Sequence, residues 1–132
     1  MEKIIKFLKE NPTFYFATVD GDKPKVRPFG FFMEHNEKLY FGMGNHKQSY
    51  KQVVANPNVE VCTVGANGQW IRISGVAVFD DSEETMAKAF ETLPMLKNIY
   101  NEESGLKLGN FYLKDGVAEI ADMKGNFEKI SF

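Results

Sequence analysis

Apolar and polar positions change their period several times along the chain, and each change marks an element. Over Glu2 to Glu10, Ile4, Ile5, Phe7 and Leu8 fall on one side and lysines on the other, the spacing of an amphipathic helix that Asn11-Pro12 ends and that should lie against the core as a lid. Thr13 to Val19 is dense in aromatic and β-branched residues and reads as a strand, followed by a hairpin turn, Asp20-Gly21-Asp22-Lys23, with Asp-Gly at its centre. Pro24 to Met33 is the returning strand, and Glu34 to Glu37 the next turn. From Lys38, Leu39, Phe41 and Met43 alternate with Tyr40 and Gly42 into a Gly-x-Gly-Asn bend. A second helix should follow at once, with Asn45 as its N-cap, Gln48 in the capping-box position and Tyr50, Val53 and Val54 as its apolar face; Asn56-Pro57 stops it.

Asn58 to Val64 and Gln69 to Phe79 are two further alternating strands around the turn Gly65-Ala66-Asn67-Gly68. Asp81-Ser82-Glu83-Glu84 begins a third helix whose stripe is Met86, Ala89, Phe90 and Leu93, and Leu93-Pro94 breaks it ahead of a short helical piece to Tyr100. Leu106 to Leu113, Val117 to Asp122 and Phe127 to Phe132 read as three strands separated by turns at Lys114-Asp115-Gly116 and Lys124-Gly125-Asn126. Short hairpin connections make the sheet mainly antiparallel, and closure into a barrel would protect its edges. The expectation is one α+β domain over residues 1–132, built on a small barrel with flanking helices.

Composition narrows the function. Twelve Phe, five Tyr and one Trp favour a β-rich core or flat surfaces for a flat ligand. A formal charge of −2 leaves no basic footprint, which argues against nucleic acid or an anionic membrane as partner. Cys62 is alone, so no internal disulfide forms, and its strand position suggests a buried, inert thiol. His35 and His46 do not make a metal site, and no apolar run approaches a membrane span or a signal sequence, so a soluble, cytoplasmic protein is expected.

Two stretches carry candidate chemistry. A strand that ends in glycines and turns directly into a helix aims backbone N–H groups outward at the positive end of the helix dipole, and Lys47 adds a full charge there. That arrangement suits a phosphate, although many capped helices bind no anion. In Arg27-Pro28-Phe29-Gly30, proline removes a ladder donor and glycine a side chain, which marks either a bulged edge strand or a place where a ligand meets the backbone. Trp70 and Arg72 share a strand face, as a stacked surface pair or a ligand wall.

Taken together, FYFATVDGDKPKVRPFGF, KLYFGMGNHKQSYKQVVANPNVEV, GQWIRISGVAVFDD and the FYLKDGVAEIADMKGNFEKISF tail resemble the pyridoxamine-phosphate-oxidase-like FMN-binding split barrels, nearest the branch of nitroimidazole-resistance reductases. The resemblance implies a split barrel, a homodimer and two FMN sites at its interface. It places Arg27, Pro28, Phe29 and Gly30 along the flavin, and Asn45, His46, Lys47, Gln48 and Ser49 at the phosphate. Gln69 and Trp70 would approach the ring from across the dimer. An Arg-Lys pair of the vitamin-B6 oxidases falls near Gln48 and Ser49 here, so Lys47 and Lys51 supply the charge instead. Those oxidases also carry a C-terminal arginine and histidine that this tail lacks, so a true pyridoxamine-phosphate oxidase is not expected. The implied function is an FMN-dependent oxidoreductase passing electrons from a nicotinamide cofactor (NADH or NADPH) or another donor to a small flat acceptor such as a nitroaromatic or quinone, with no catalytic side chain beyond the flavin. A flavin carrier, or the same fold holding deazaflavin or haem, are the alternatives.

Overall fold

The computed structural model describes residues 1–132. Three helices, α1 (Glu2–Glu10), α2 (Gln48–Ala55) and α3 (Glu83–Thr92), and a 3₁₀ segment at Pro94–Asn98 surround eight strands: β1 (Phe14–Asp20), β2 (Lys23–Phe29), β3 (Phe32–His35), β4 (Lys38–Gly44), β5 (Asn58–Val64), β6 (Trp70–Phe79), β7 (Leu108–Ala121) and β8 (Phe127–Ser131). Every pairing is antiparallel, in the order β2-β1-β5-β6-β7-β4-β3, with β8 added to the far half of β7. The hydrogen-bonded path does not close. The sheet nevertheless curls until the rings of Phe14 on β1 and Phe41 on β4 lie 5.5 Å apart, although three strands separate them along the path. This is an α+β split barrel.

The barrel interior is the main core, filled by the inward rows Phe14/Phe16, Val59/Val61, Ile71/Ile73 and Phe111/Leu113. Its two ends are stoppered by different helices. α1 inserts Ile4, Ile5 and Leu8 near the β5–β6 turn, where Phe7 approaches Gly65. α2 inserts Val53 and Tyr50 at the other end, packing on β1 and β4. A second core lies outside the barrel, where Ala89, Met86 and Phe90 of α3, with Leu93 just past its end, cover Met33, Tyr40 and Leu108. Ser82 caps α3, its hydroxyl accepting from the Thr85 amide at 3.3 Å.

Several expectations are corrected. The strand expected over Pro24 to Met33 is two: β2 ends at Phe29, Gly30 and Phe31 form no ladder, and the chain crosses from one edge of the sheet, beside β1, to the other, beside β4. Pro28 sits on edge strand β2, where its missing donor costs no ladder bond to a second neighbour. The first hairpin turns on Gly21-Asp22, with only the glycine at positive φ (64°). Lys114-Asp115-Gly116 is not a turn but a bulge within one long β7: Asp115 takes a φ of 54°, the register slips between Ser74 and Val76, and Gly75 opposite leaves room, since a Cβ there would stand 3.0 Å from that of Leu113. Cys62 is exposed, because Val61 and Thr63 take the inward positions of β5. No helix is long and apolar enough to cross a membrane.

Candidate functional site

The β4–α2 connection is built from close approaches. Gly44 pairs with Leu108 at the strand end, and a Cβ on it would meet the His46 ring at 2.5 Å and the Tyr100 hydroxyl at 3.1 Å. Only glycine lets the ring fold back there. Asn45 donates its amide to the Lys107 carbonyl at 2.9 Å, and Lys47 its own to Gly44 at 3.1 Å. α2 begins at Gln48, so the N-cap is Lys47 and not Asn45, and no side chain satisfies the cap. Two residues of turn, Asn45 and His46, intervene where immediate helix entry was expected. The first α2 bond is Lys51 N–H to the Lys47 carbonyl, which leaves the amides of Gln48, Ser49 and Tyr50 pointing out of the helix start without a protein partner. Ser49 is 7% exposed, yet its hydroxyl makes no hydrogen bond within the chain. Lys47 and Gln48 are exposed around it.

Arg27 reaches the same helix from β2. Its Nη2 donates to the Gln52 side-chain carbonyl at 2.9 Å, and its Nη1 to the Thr18 hydroxyl at 2.8 Å and the Phe16 carbonyl at 3.3 Å. Thr18 in turn donates to Gln52 Oε1 at 2.6 Å. Burial lowers the pKa of the guanidinium, but it keeps its proton at any ordinary pH. All of its partners are neutral, so its charge is not cancelled. Gln52 lies four residues beyond Gln48 and three beyond Ser49, on the same side of α2, so this free charge stands about one helical turn from the open amides. Thr18 and Gln52 are the members of this hydrogen-bonded cluster that sequence patterns do not reveal: one looks like an ordinary strand threonine, the other like a polar helix position.

The remaining candidates lie elsewhere. Phe29 turns into the barrel and stacks on Phe16 at 4.7 Å with an 11° interplanar angle. Pro28 faces outward beside Tyr15, and Gly30 is exposed at the β2–β3 corner near Pro12. Gln69 and Trp70 stand at the start of β6, where Trp70 pairs with Ala121; the β4–α2 turn adjoins the opposite end, where Phe79 pairs with Phe111 and Gly44 with Leu108. Within one chain, therefore, Arg27 joins the turn of Asn45, His46, Lys47, Gln48 and Ser49 at the α2 end, while Gly30, Gln69 and Trp70 sit toward the α1 end. Arg72 is paired with Glu60 at 3.3 Å and Glu119 at 3.9 Å, so its charge is neutralised on the outer face.

A polar knot anchors α3 beside this end. Asp80 accepts from Thr85 Oγ1 at 2.6 Å, Tyr40 Oη at 2.8 Å and the Ser82 amide at 3.0 Å. The Thr85 bond, with those from Tyr40 and Ser82, holds the Asp80 carboxyl well below the usual carboxylate range, against the opposing effect of burial. Burial and the Asp80 bond push the Tyr40 phenol up to about 12.

Comparison with protein families matches residues 1–111 to the pyridoxamine 5'-phosphate oxidase family. No curated protein matches the chain. Among solved structures, a NimC/NimA family protein from Clostridium acetobutylicum is 40% identical, with a TM-score of 0.91 over 100% of this chain and 92% of that one. A pyridoxamine 5'-phosphate oxidase-related, FMN-binding protein from Nostoc punctiforme is 15% identical (TM-score 0.59, 99% of this chain, 95% of that one), and a haem-binding protein from Mycobacterium smegmatis is 10% identical (TM-score 0.71, 95% of this chain, 55% of that one). The last two share the fold alone. With a family match over most of its length and a NimC/NimA protein aligned along the whole of it, the chain belongs to the pyridoxamine 5'-phosphate oxidase family, on its NimC/NimA branch.

Proposed function

We propose that the protein is an FMN-dependent oxidoreductase that takes electrons from NADH or NADPH and reduces a small flat acceptor such as a nitroaromatic or a quinone. The observation that carries this reading is the start of α2: three open amides, the unpartnered and solvent-accessible hydroxyl of Ser49, Lys47, and the uncancelled charge of Arg27 one turn away. That donor set fits a phosphate monoester, which wants several hydrogen bonds and a positive field at once. The match to the pyridoxamine 5'-phosphate oxidase family, and the FMN named for the relative from Nostoc, support FMN as the occupant. Flavin supplies the redox chemistry when bound. The chain has only to hold the phosphate, seat the ring and leave one face open, so no acid–base residue is assigned.

The reading includes a homodimer. The outer face of β2, β1, β5, β6 and β8 has no helix over it and presents Val26 (68% exposed), Tyr15 (49%), Val64 (61%) and Phe127 (63%) together with Trp70. These apolar side chains, set around the Arg72–Glu60–Glu119 ion network on the same face, are suited to a second copy. Pairing would carry Gln69 and Trp70 of each chain toward the other's phosphate turn. The function belongs in the cytoplasm, where the nucleotide donors are.

The test is the visible spectrum of freshly purified protein, FMN titration by fluorescence quenching, and anaerobic addition of NADH or NADPH. Flavin bands that bleach and return with a nitroaromatic support the enzyme. Absence of saturable FMN binding refutes the site, and bands that respond only to a reduced redox protein make it a carrier.

A further inference from the structure

Beside the phosphate-type turn, and sharing Asn45 and Tyr50 with it, opens a cavity of about 720 Å³ between the sheet, α3 and the Tyr100–Lys107 loop. Its size is that of an ordinary small-molecule site. The walls are flat or soft: Tyr50, Phe79, Phe90 and Tyr100, with the Met86 thioether. The charge is one-sided, with Asp80, Asp81, Glu83 and Glu102 against Lys107 alone. Asp80 is committed to Tyr40, Thr85 and Ser82 and is held ionised by them; Asp81, Glu83 and Glu102 are exposed and enter no ion pair. A separate observation concerns Asn110, which lines the cavity from its buried side. It is 2% exposed, its Oδ1 has no partner, and its Nδ2 reaches only the Met86 sulfur at 3.8 Å. Gly42 leaves the space it needs, since a Cβ there would stand 3.0 Å from that Oδ1. The Oδ1 is closed to solvent and faces Gly42, so Asn110 forms the wall behind the cavity and not a binding group on its surface.

We propose that this cavity binds a flat aromatic or heteroaromatic molecule that carries a positive charge. Aromatic walls favour a planar ring and attract a cation through their faces, and the surrounding carboxylates add long-range attraction. The same carboxylates repel phosphate and carboxylate groups, so an anionic dinucleotide does not take this seat. That the bound cation is the protein's redox substrate rests on the proposed flavin chemistry; that the cavity binds it does not.

The test uses two tricyclic dyes of nearly equal shape and opposite charge, cationic thionine and anionic resorufin, titrated against the full-length protein at low salt. Each exposed carboxylate contributes up to about fivefold, so thionine is expected to bind at least about tenfold more tightly than resorufin. Asp81→Asn/Glu83→Gln/Glu102→Gln should bring the two affinities to within about threefold of each other. The control Asp20→Asn/Glu34→Gln/Glu37→Gln makes the same change in net charge on exposed positions outside the cavity and should leave the ratio as in wild type. Equal affinities in wild type, or a control that collapses the ratio as far as the cavity variant, would overturn the proposal. So would loss of thionine binding on saturation with FMN, since the cavity would then be the flavin's own seat. A protein that binds thionine selectively but no FMN would refute the flavin reading and leave this one standing.

Discussion

Replacing Gln52 by glutamate separates charge from fold at the α2 site. In the native chain the Arg27 guanidinium gives its hydrogen bonds only to Gln52, Thr18 and the Phe16 carbonyl, all neutral, so its full charge acts on whatever sits at the helix start. Gln52→Glu keeps an acceptor oxygen at the same place, 2.9 Å from Nη2, and cancels that charge. Gln52 is four residues into α2 from Gln48, which at 1.5 Å rise per residue puts the lost charge roughly 6–9 Å from a phosphate held there. At an effective dielectric of about 20–80 the interaction is worth about 0.5–2 kcal/mol, or about two- to thirtyfold in affinity. The new half-exposed ion pair should leave stability unchanged or raise it by up to about 1 kcal/mol. Affinity and stability therefore move in different directions, which a merely misfolded variant cannot reproduce. The assay is FMN fluorescence quenching from 50 to 300 mM salt as an approximate range around the Debye regime, beside thermal unfolding of the same samples. A Gln52→Glu protein with native stability and wild-type FMN affinity at the lowest salt would show that Arg27 does not act on the phosphate, and the electrostatic account of this site would fail.

Other outcomes are set by the same geometry. Lys47→Ala, at an exposed position, should weaken FMN binding about ten- to a hundredfold through loss of a charge-assisted bond while leaving the unfolding midpoint in place; equal dissociation constants would remove Lys47 from the site. Asp80→Asn should destabilise the fold by about 1–2 kcal/mol, allowing for the partial exposure of the group. Because the folded carboxyl titrates below its unfolded value, its contribution is present above about pH 4 and fades as pH falls further; wild type should lose more stability than Asp80→Asn across that acid window, and parallel curves would contradict the knot. Sedimentation should give one species near twice the 15.0 kDa chain mass, and a Val26→Asp/Phe127→Asp variant should shift it to monomer and release FMN together; a monomer that still holds FMN would show that the site is not shared.

Periodicity located the helices and most strands because it reports which side of an element meets a core. Met86, Ala89, Phe90 and Leu93 form the α3 stripe, and the alternation in β5 and β6 places Val61 and Ile73 inside, at 0% exposure. It failed where the backbone does something a pattern cannot encode. Lys114-Asp115-Gly116 has the composition of a turn, and only the facing Gly75 and the pairing of Gly116 with Phe132 turn it into a bulge. Asn45 has the chemistry of a cap, but its backbone N–H is held by the carbonyl of Lys107, sixty-two residues on, and the cap position falls to Lys47, a placement no local rule supplies.

The same limit governs the site. Gly44 through Ser49 could be read as one local unit because strand, glycine and helix start are contiguous. Arg27 could be singled out but not placed, since its position depends on Thr18 and Gln52 meeting across two elements. For Gln69 and Trp70, placement in the sheet decides which chain they can serve. β6 and β7 run antiparallel with Trp70 on Ala121 at one end and Phe79 on Phe111 at the other, which sets the length of a strand between these two residues and the helix start that carries Lys47. Ten residues of strand span about 33 Å. That length of strand separates Trp70 from the end of the sheet where α2 begins, and the proposed homodimer would bring the two to one ligand from different chains.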